Sequence, residues 1–214
     1  MDTLIILDWD DTILPSTWLT INKLRFEDII YSHYIDELGF YQTDCINLLN
    51  EMMKYAHLII ITNAEKGWVE NSCQQFLPKL FPIISKLKII SSRTEYMKVS
   101  NDPFIWKELA FRAEIELYIT QNPNILQNII SIGDSLYERM AILNSTNDLK
   151  GLAPINYIKS VKLSERPELL LLIQQIEKLT NSIKKIIDEK SSLDLMLMPP
   201  PINSVNKDAL YDPE

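Results

Sequence analysis

Three carboxylates and a hydroxyl fall within five positions at Asp8-Trp9-Asp10-Asp11-Thr12, directly after the aliphatic run Leu4-Ile5-Ile6-Leu7. Like charges this close repel one another unless a cation or a hydrogen-bond network compensates them, so the stretch asks for a divalent metal. Two further aliphatic runs also end in polar groups. Thr62 and Asn63 close His57-Leu58-Ile59-Ile60-Ile61, and Gly133-Asp134-Ser135 closes Ile129-Ile130-Ser131-Ile132, with Glu138 just beyond. The donors on offer are oxygens, which hard cations such as magnesium prefer, and there is no clustered Cys or His to suit zinc.

Something must bring these groups together. A short continuous aliphatic run reads as a strand buried on both faces, the mark of a parallel sheet covered by helices. In such sheets the ligand crevice lies outside the carboxyl ends of the strands, where every one of these polar groups would sit. The spacing predicts strands at 4–7, 57–63, 87–91, 129–133 and 155–163. Between them it predicts short helical pieces over 17–40 ending at Gly39, and a helix packing through Cys45, Leu48, Leu49, Met52 and Met53. A helix follows over 65–80, a polar loop over 92–103, and a helix opening at Asp102-Pro103, with Pro in its first turn. Another begins at Glu138. The fold class is α/β, a doubly wound parallel sheet. Residues 1–164 make its core, with a short flap at about 13–43. Pro167 opens a long amphipathic helix within 165–190, and 191–214 reads as a Pro-containing linker or docking tail.

Asp-x-Asp-x-Thr at the end of a strand resembles the first motif of the haloacid dehalogenase (HAD) superfamily, whose members are mostly magnesium-dependent phosphoryl-transfer enzymes. The resemblance covers most of residues 4–163. Thr62 matches the second motif, Lys107 is the candidate for the third, and Gly133-Asp134-Ser135 with Glu138 resembles the acidic fourth. It implies that Asp8 attacks phosphorus, giving an aspartyl-phosphate, and that Asp10 protonates the leaving oxygen and then takes a proton from water. An unperturbed Asp titrates near ~3.9, so only about one in a thousand carries a proton at pH 7, and acid catalysis needs a raised value. Magnesium would be held by Asp8, the backbone carbonyl of Asp10, and Asp134. Thr62, the amides near Asn63, and Lys107 would bind the phosphoryl oxygens. Plainer roles stay open: Thr62 and Ser135 as helix caps, Lys107 as a solvated charge, Asp11 in loop hydrogen bonding. Glu138 stands where the family usually has Asp, and either reaches the metal through water or orients Lys107. Lys98 competes with Lys107 for the third motif.

A net charge of −8 and a pI near 4.9 argue against a nucleic-acid grip. Cys45 and Cys73, and His33 and His57, are isolated and read as core or surface residues. No signal peptide or membrane span is visible, which predicts a cytoplasmic location. A cap domain finds no room between the first and second motifs or between the second and third, so the crevice should admit a protruding side chain of a macromolecule. The expected substrate is a phosphoprotein. Trp9, Trp18, Tyr31 and Tyr34 lean the reading toward phosphotyrosine if they reach an aromatic leaving group, although each could equally be core. A sugar or nucleotide phosphatase, and a silent scaffold recruiting a partner through the long helix and tail, are the competing readings. A dehalogenase is disfavoured, because it needs neither Asp10 nor a metal site.

Overall fold

The computed structural model describes residues 2–25, 32–123, 127–149 and 155–197. In chain order the elements are β1 (Thr3–Leu7), α1 (Ser16–Ile21), α2 (Ser32–Tyr55), β2 (His57–Thr62) and α3 (Trp68–Phe76). A 3-10 turn (Pro78–Leu80) leads to α4 (Phe81–Ile84), β3 (Lys88–Ser91), α5 (Ser92–Tyr96) and α6 (Pro103–Gln121). Then come β4 (Gln127–Gly133), α7 (Leu136–Asp148), β5 (Ile155–Lys162), α8 (Leu169–Asp188) and β6 (Leu193–Met196). The strands form one six-stranded parallel sheet in the order β3-β2-β1-β4-β5-β6.

Alternate side chains of each strand enter opposite layers, as a pleated backbone requires. Ile5, Leu7, Leu58, Ile60, Ile130 and Ile132 pack with apolar residues of α2, α3 and α8. Leu4, Ile6, Ile59, Ile61 and Ile129 pack with Ala110, Phe111 and Ile115 of α6 and with Ala141 and Ile142 of α7. Both faces are therefore covered, which is why these strands read as unbroken aliphatic runs. The sheet is doubly wound: the chain steps outward from β1 to β3 with α2 and α3 on one face. It then returns through β4 to β5 with α6 and α7 on the other. The last crossover differs. From β5 to β6 the chain moves the same way across the sheet as from β4 to β5, yet α8 packs against α2 on the opposite face. The two crossovers thus have opposite hands, against the strong right-handed preference of parallel units.

A buried lysine holds that unusual crossover in place. Lys159 on β5 is fully enclosed, and its ammonium donates to the carbonyls of Ile186 (2.6 Å), Ile187 (3.1 Å) and Glu189 (2.7 Å) at the end of α8. Those carbonyls lack helical partners, and a cation is favoured at a helix C-terminus.

Four boundaries differ from the sequence reading. Gly39 does not end a helix but lies inside α2, because Leu38, Tyr41, Cys45, Leu48, Leu49 and Met52 form one buried stripe whose packing outweighs a glycine cost of ~1 kcal/mol. The helix expected over 65–80 begins only at Trp68, after Gly67 at φ 88°, and gives way to the 3-10 turn at Pro78. Part of the polar stretch 92–103 is helical, since the Ser91 side chain caps α5 by accepting from Thr94 N at 3.1 Å. The tail is not all linker: Leu193–Met196 adds a sixth strand beside β5. The tail residues 198–214, residues 26–31 of the flap, and the side chain of His33 lie outside the described residues. Among the described residues no helix is long and apolar enough to cross a membrane.

Candidate active site at the carboxyl edge of the sheet

β1 and β4 are neighbours, and the Asp8 amide continues their ladder by donating to Ile132 O at 2.9 Å. β2 flanks β1 on the other side. The polar residues that follow these three strands therefore come to one edge. Asp8, Asp10, Thr62, Asn63, Lys107 and Asp134 all line a single cavity of about 460 Å³, together with Glu138. Lys98 does not reach it and is exposed in the turns after α5.

Lys107 is the centre of charge. Asp102 caps α6, its side chain accepting from Phe104 N at 2.9 Å, and Pro103 occupies the first turn. One turn on, Lys107 points inward at 1% exposure and is no solvated charge. Its ammonium lies 2.5 Å from Asp8 Oδ1, 2.7 Å from Ile61 O and 2.8 Å from Glu138 Oε1, which uses all three of its protons. Burial pulls its pKa down, but Asp8 and Glu138 outweigh that and hold it above the usual lysine range.

Glu138 is fixed from its other side by Ser135. Glu138 Oε2 accepts from Ser135 N at 3.1 Å and from Ser135 Oγ at 2.6 Å, and Ser135 Oγ accepts from Tyr137 N at 3.0 Å. This is a capping box at the start of α7, so Ser135 has the helix-cap role that the sequence left open. Burial pushes the Glu138 carboxyl up, but Lys107 and Ser135 together hold it below its usual range. The fit is close: a Cβ on Gly133 would stand 2.3 Å from Glu138 Cγ.

Carboxylate oxygens of Asp8, Asp134 and Glu138 lie within 4.8 Å of one another and could hold a metal ion. The site carries the expected electrostatic strain. Burial raises Asp8 well above the carboxylate range against the pull of Lys107, with Glu138 and Asp134 adding to the rise. Asp134 is pushed up to about 7, by burial first and then by Glu138 and Asp11. Several buried carboxylates around one ammonium leave surplus negative charge, and a divalent cation would fit that chemistry. Both oxygens of Glu138 are already engaged, so Asp8 and Asp134 keep the freer coordinating groups.

Thr62 is not a helix cap, since α3 starts six residues later. Its Oγ1 accepts from Ala64 N at 3.0 Å, which leaves the hydroxyl proton for a ligand. Asn63 is braced by α5 and α6, accepting from Ser92 Oγ and donating to Pro103 O at 3.3 Å. Asp11 also lines the cavity, but its carboxylate is taken up by the loop. At φ 51° it accepts from Thr17 N (2.7 Å), Thr17 Oγ1 (2.5 Å) and Ser16 Oγ (3.1 Å), which closes the loop after β1.

No family model, curated protein or solved structure matches this chain.

Of the aromatic residues singled out near the first motif, Trp9, Trp18 and Tyr34 do not line the cavity. Trp9 is fully buried, and Trp18 is buried edge-on to half-buried Tyr34, at 5.4 Å between ring centres. Tyr31 lies outside the described residues. Both cysteines are free and buried, and burial pushes their thiols up to about 12, away from the reactive thiolate. His57 is exposed at the opposite end of β2 and stacks on Tyr118.

Several residues at the site escaped the sequence reading, Glu165 and Arg166 on the cavity wall among them. Tyr137 lines the cavity, with Phe104 packed on it at 4.4 Å between ring centres. Lys162 donates to Asp134 O at 2.9 Å and steadies the acidic loop. Trp68, read from sequence as a packing residue, donates from Nε1 to both oxygens of Asp10, at 3.0 and 3.1 Å. Only a tryptophan six positions after Thr62 could have hinted at it.

Proposed function

We propose that this chain is a magnesium-dependent phosphomonoester hydrolase of the haloacid dehalogenase type, working through an aspartyl-phosphate on Asp8 and acting on phosphoproteins. The observation that carries the reading is the meeting of Asp8, Thr62, Lys107 and Asp134 around one cavity at the carboxyl edge of a parallel sheet. Those are the residues, in the chain order, that the resemblance requires.

The chemistry follows from their types. A carboxylate oxygen of Asp8 attacks phosphorus, the bond from phosphorus to the leaving oxygen breaks, and Asp10 gives that oxygen a proton. Water then attacks phosphorus, Asp10 takes its proton, and phosphate leaves with Asp8 restored. Burial raises the Asp10 carboxyl, against the lowering effect of Trp68 and Lys107, which brings it nearer the range where it can carry that proton. Lys107 and the hydroxyl of Thr62 face the phosphoryl oxygens, where charge develops. Magnesium, held by Asp8, Asp134 and the backbone carbonyl of Asp10, would supply Lewis-acid stabilisation and offset the surplus of carboxylates.

The substrate class rests on what leaves the cavity uncovered. Among the described residues of 13–43, none lines it. A protruding phosphorylated side chain can therefore enter, and Tyr137 backed by Phe104 offers an aromatic wall, which favours phosphotyrosine. A small phosphorylated metabolite is the second reading, because the cavity volume of about 460 Å³ lies within the range of small-ligand sites.

Hydrolysis of an aryl phosphate, a phosphotyrosine peptide and a panel of sugar and nucleotide phosphates, with and without magnesium, tests both readings, with Asp8→Asn as control. Magnesium-dependent turnover of the peptide, abolished in Asp8→Asn, is the expected result. Efficient turnover of metabolites alone would overturn the protein substrate. No turnover of any ester would overturn the phosphatase and leave a binding scaffold.

A further inference from the structure

The site contains a hydrogen bond that the four motifs do not account for. The indole Nε1 of Trp68 stands 3.0 Å from one oxygen of Asp10 and 3.1 Å from the other, a single proton shared across the carboxylate. The two residues are fifty-eight positions apart. Trp68 opens α3, and the turn that delivers it needs Gly67 at φ 88°, a conformation costly for any residue with a Cβ.

A second indole crosses the same gap in the opposite direction. Trp9, between Asp8 and Asp10, donates from Nε1 to Ser72 Oγ on α3 at 2.9 Å, and Ser72 Oγ donates to Trp68 O at 2.6 Å. The loop after β1 and the first two turns of α3 are thus joined by two reciprocal indole bonds. Neither partner is free to drift. Lys107 cannot substitute for Trp68, because its three protons go to Asp8, Ile61 and Glu138.

We infer that Trp68 is a positioning residue for Asp10, holding its carboxyl group in the one orientation from which it can pass a proton to the leaving oxygen. This rests on the phosphotransfer reading above. An indole is suited to the task because its nitrogen donates and cannot accept, so it orients the group without competing for the transferred proton. When Asp10 is protonated, its two oxygens cease to be equivalent. The indole keeps the bare oxygen, and the oxygen bearing the proton is turned toward the ester. As the phosphorus–oxygen bond breaks and the Asp8 oxygen–phosphorus bond forms, that proton goes to the leaving oxygen. It returns to Asp10 from the attacking water in the second step.

The consequence depends on the leaving group. A phenolate that leaves readily needs little proton donation, whereas an alkoxide needs a full proton, so loss of the Trp68 bond should matter most for alkyl esters. In the full chain with magnesium, Trp68→Phe is expected to lower kcat about 10- to 100-fold on an alkyl phosphate and less than about threefold on nitrophenyl phosphate, with KM little changed. Trp68→His, which keeps a ring N–H, is expected to recover part of the alkyl-phosphate rate. Ser72→Ala breaks the other indole bond and should affect both esters equally. An equal loss on both esters in Trp68→Phe would overturn the inference and leave Trp68 a packing residue. No magnesium-dependent turnover by the unmutated chain would overturn the phosphatase reading and this role with it, a result recorded before any variant is made. A measurement that does not need turnover is the indole N–H resonance of Trp68, which should move in Asp10→Asn. A resonance that stays in place would overturn the inference even if Trp68→Phe fails to fold.

Discussion

Glu138 Oε1 and the Lys107 ammonium form an ion pair at 2.8 Å in which both side chains are almost wholly buried. The sequence allowed Glu138 two roles, reaching a metal or orienting Lys107, and this contact with the Ser135 bonds on its other oxygen favours the second. An Asp in its place would be one methylene shorter and could not span Ser135 and Lys107 together. The longer acid is what lets a residue at the start of α7 reach a lysine on α6.

Removing that brace should loosen Lys107 without abolishing it. Glu138→Gln keeps the shape but gives up the ion pair, and turnover is expected to fall about 10- to 100-fold, the usual cost of losing a residue that orients a catalytic group. Gly133→Ala should have the same effect from a different direction, because its Cβ would collide with Glu138 Cγ at 2.3 Å and force that side chain to move. Steady-state rates on an aryl phosphate check both. Full activity in Gly133→Ala would mean that Glu138 has slack the packing does not suggest.

Lys107 itself is expected to be indispensable twice over. Lys107→Ala leaves Asp8 and Glu138 buried without a counter-charge, a situation that costs roughly 3–5 kcal/mol, and on the proposed mechanism it removes the cation that would face the phosphoryl group. Activity should fall about 10³-fold or more, and the melting temperature with it. Lys98→Ala, on the exposed turn after α5, should change neither. Paired melts and rates on the two variants decide the assignment. Loss of activity in Lys98→Ala alone would reverse it.

What the sequence reveals here has a physical boundary. Asp8, Thr62 and Asp134 are legible because each closes an unbroken aliphatic run, and a strand buried on both faces of a parallel sheet leaves its polar residues at the carboxyl edge. The other five strands are legible for the same reason. β6 is not, since Asp194 interrupts its apolar residues and all of them but Leu193 are exposed at the sheet's edge, so no unbroken aliphatic run marks it. Trp68 is hidden too: a tryptophan at helical spacing reads as core, and its bond to Asp10 depends on an entry angle set by Gly67. The Trp9 and Trp18 rings, adjacent in sequence to the first motif, are turned into the core by the loop that Asp11 closes.

Lys159 offers a test of the fold away from the chemistry. Its three bonds to the last carbonyls of α8 anchor the crossover of unusual hand. Lys159→Met should fit the same space but leave the carbonyls of Ile186 and Glu189 unpaired, while Ile187 O keeps its bond from Asn128 Nδ2 at 3.0 Å. A loss of about 2 kcal/mol or more is expected, a fall of roughly 4 °C or more in melting temperature, with turnover at saturating substrate unchanged. Chemical denaturation and an aryl phosphate assay on the same sample measure both. Unchanged stability would show that β6 and α8 hold their places without this lysine.

If the acidic cluster holds a cation as proposed, Asp134 should couple its binding to pH. Its carboxyl is pushed up to about 7 in the folded chain, by burial first, while in the unfolded chain it titrates near 3.8. Between those values the metal-free folded protein holds a proton that the unfolded chain has released, so by linkage stability falls as pH rises from about 4 to about 7. Above that range the folded state must carry the buried charge. A divalent cation takes the place of that proton, because it binds the carboxylate and not the acid. Magnesium at a concentration near 100 times its dissociation constant stabilises a folded protein by about 2.7 kcal/mol. That gain should be seen near pH 8, as a rise of several degrees in melting temperature, and should shrink near pH 5, where the proton competes. Asp8 and Asp10, also raised by burial, add to the fall in stability with rising pH, whereas Lys107 and Ser135 hold the Glu138 carboxyl low and its contribution is lost only at more acidic pH. Thermal melts with and without magnesium at the two pH values make the comparison, and Asp134→Asn should remove the difference. Equal stabilisation at both would place the cation somewhere other than Asp134.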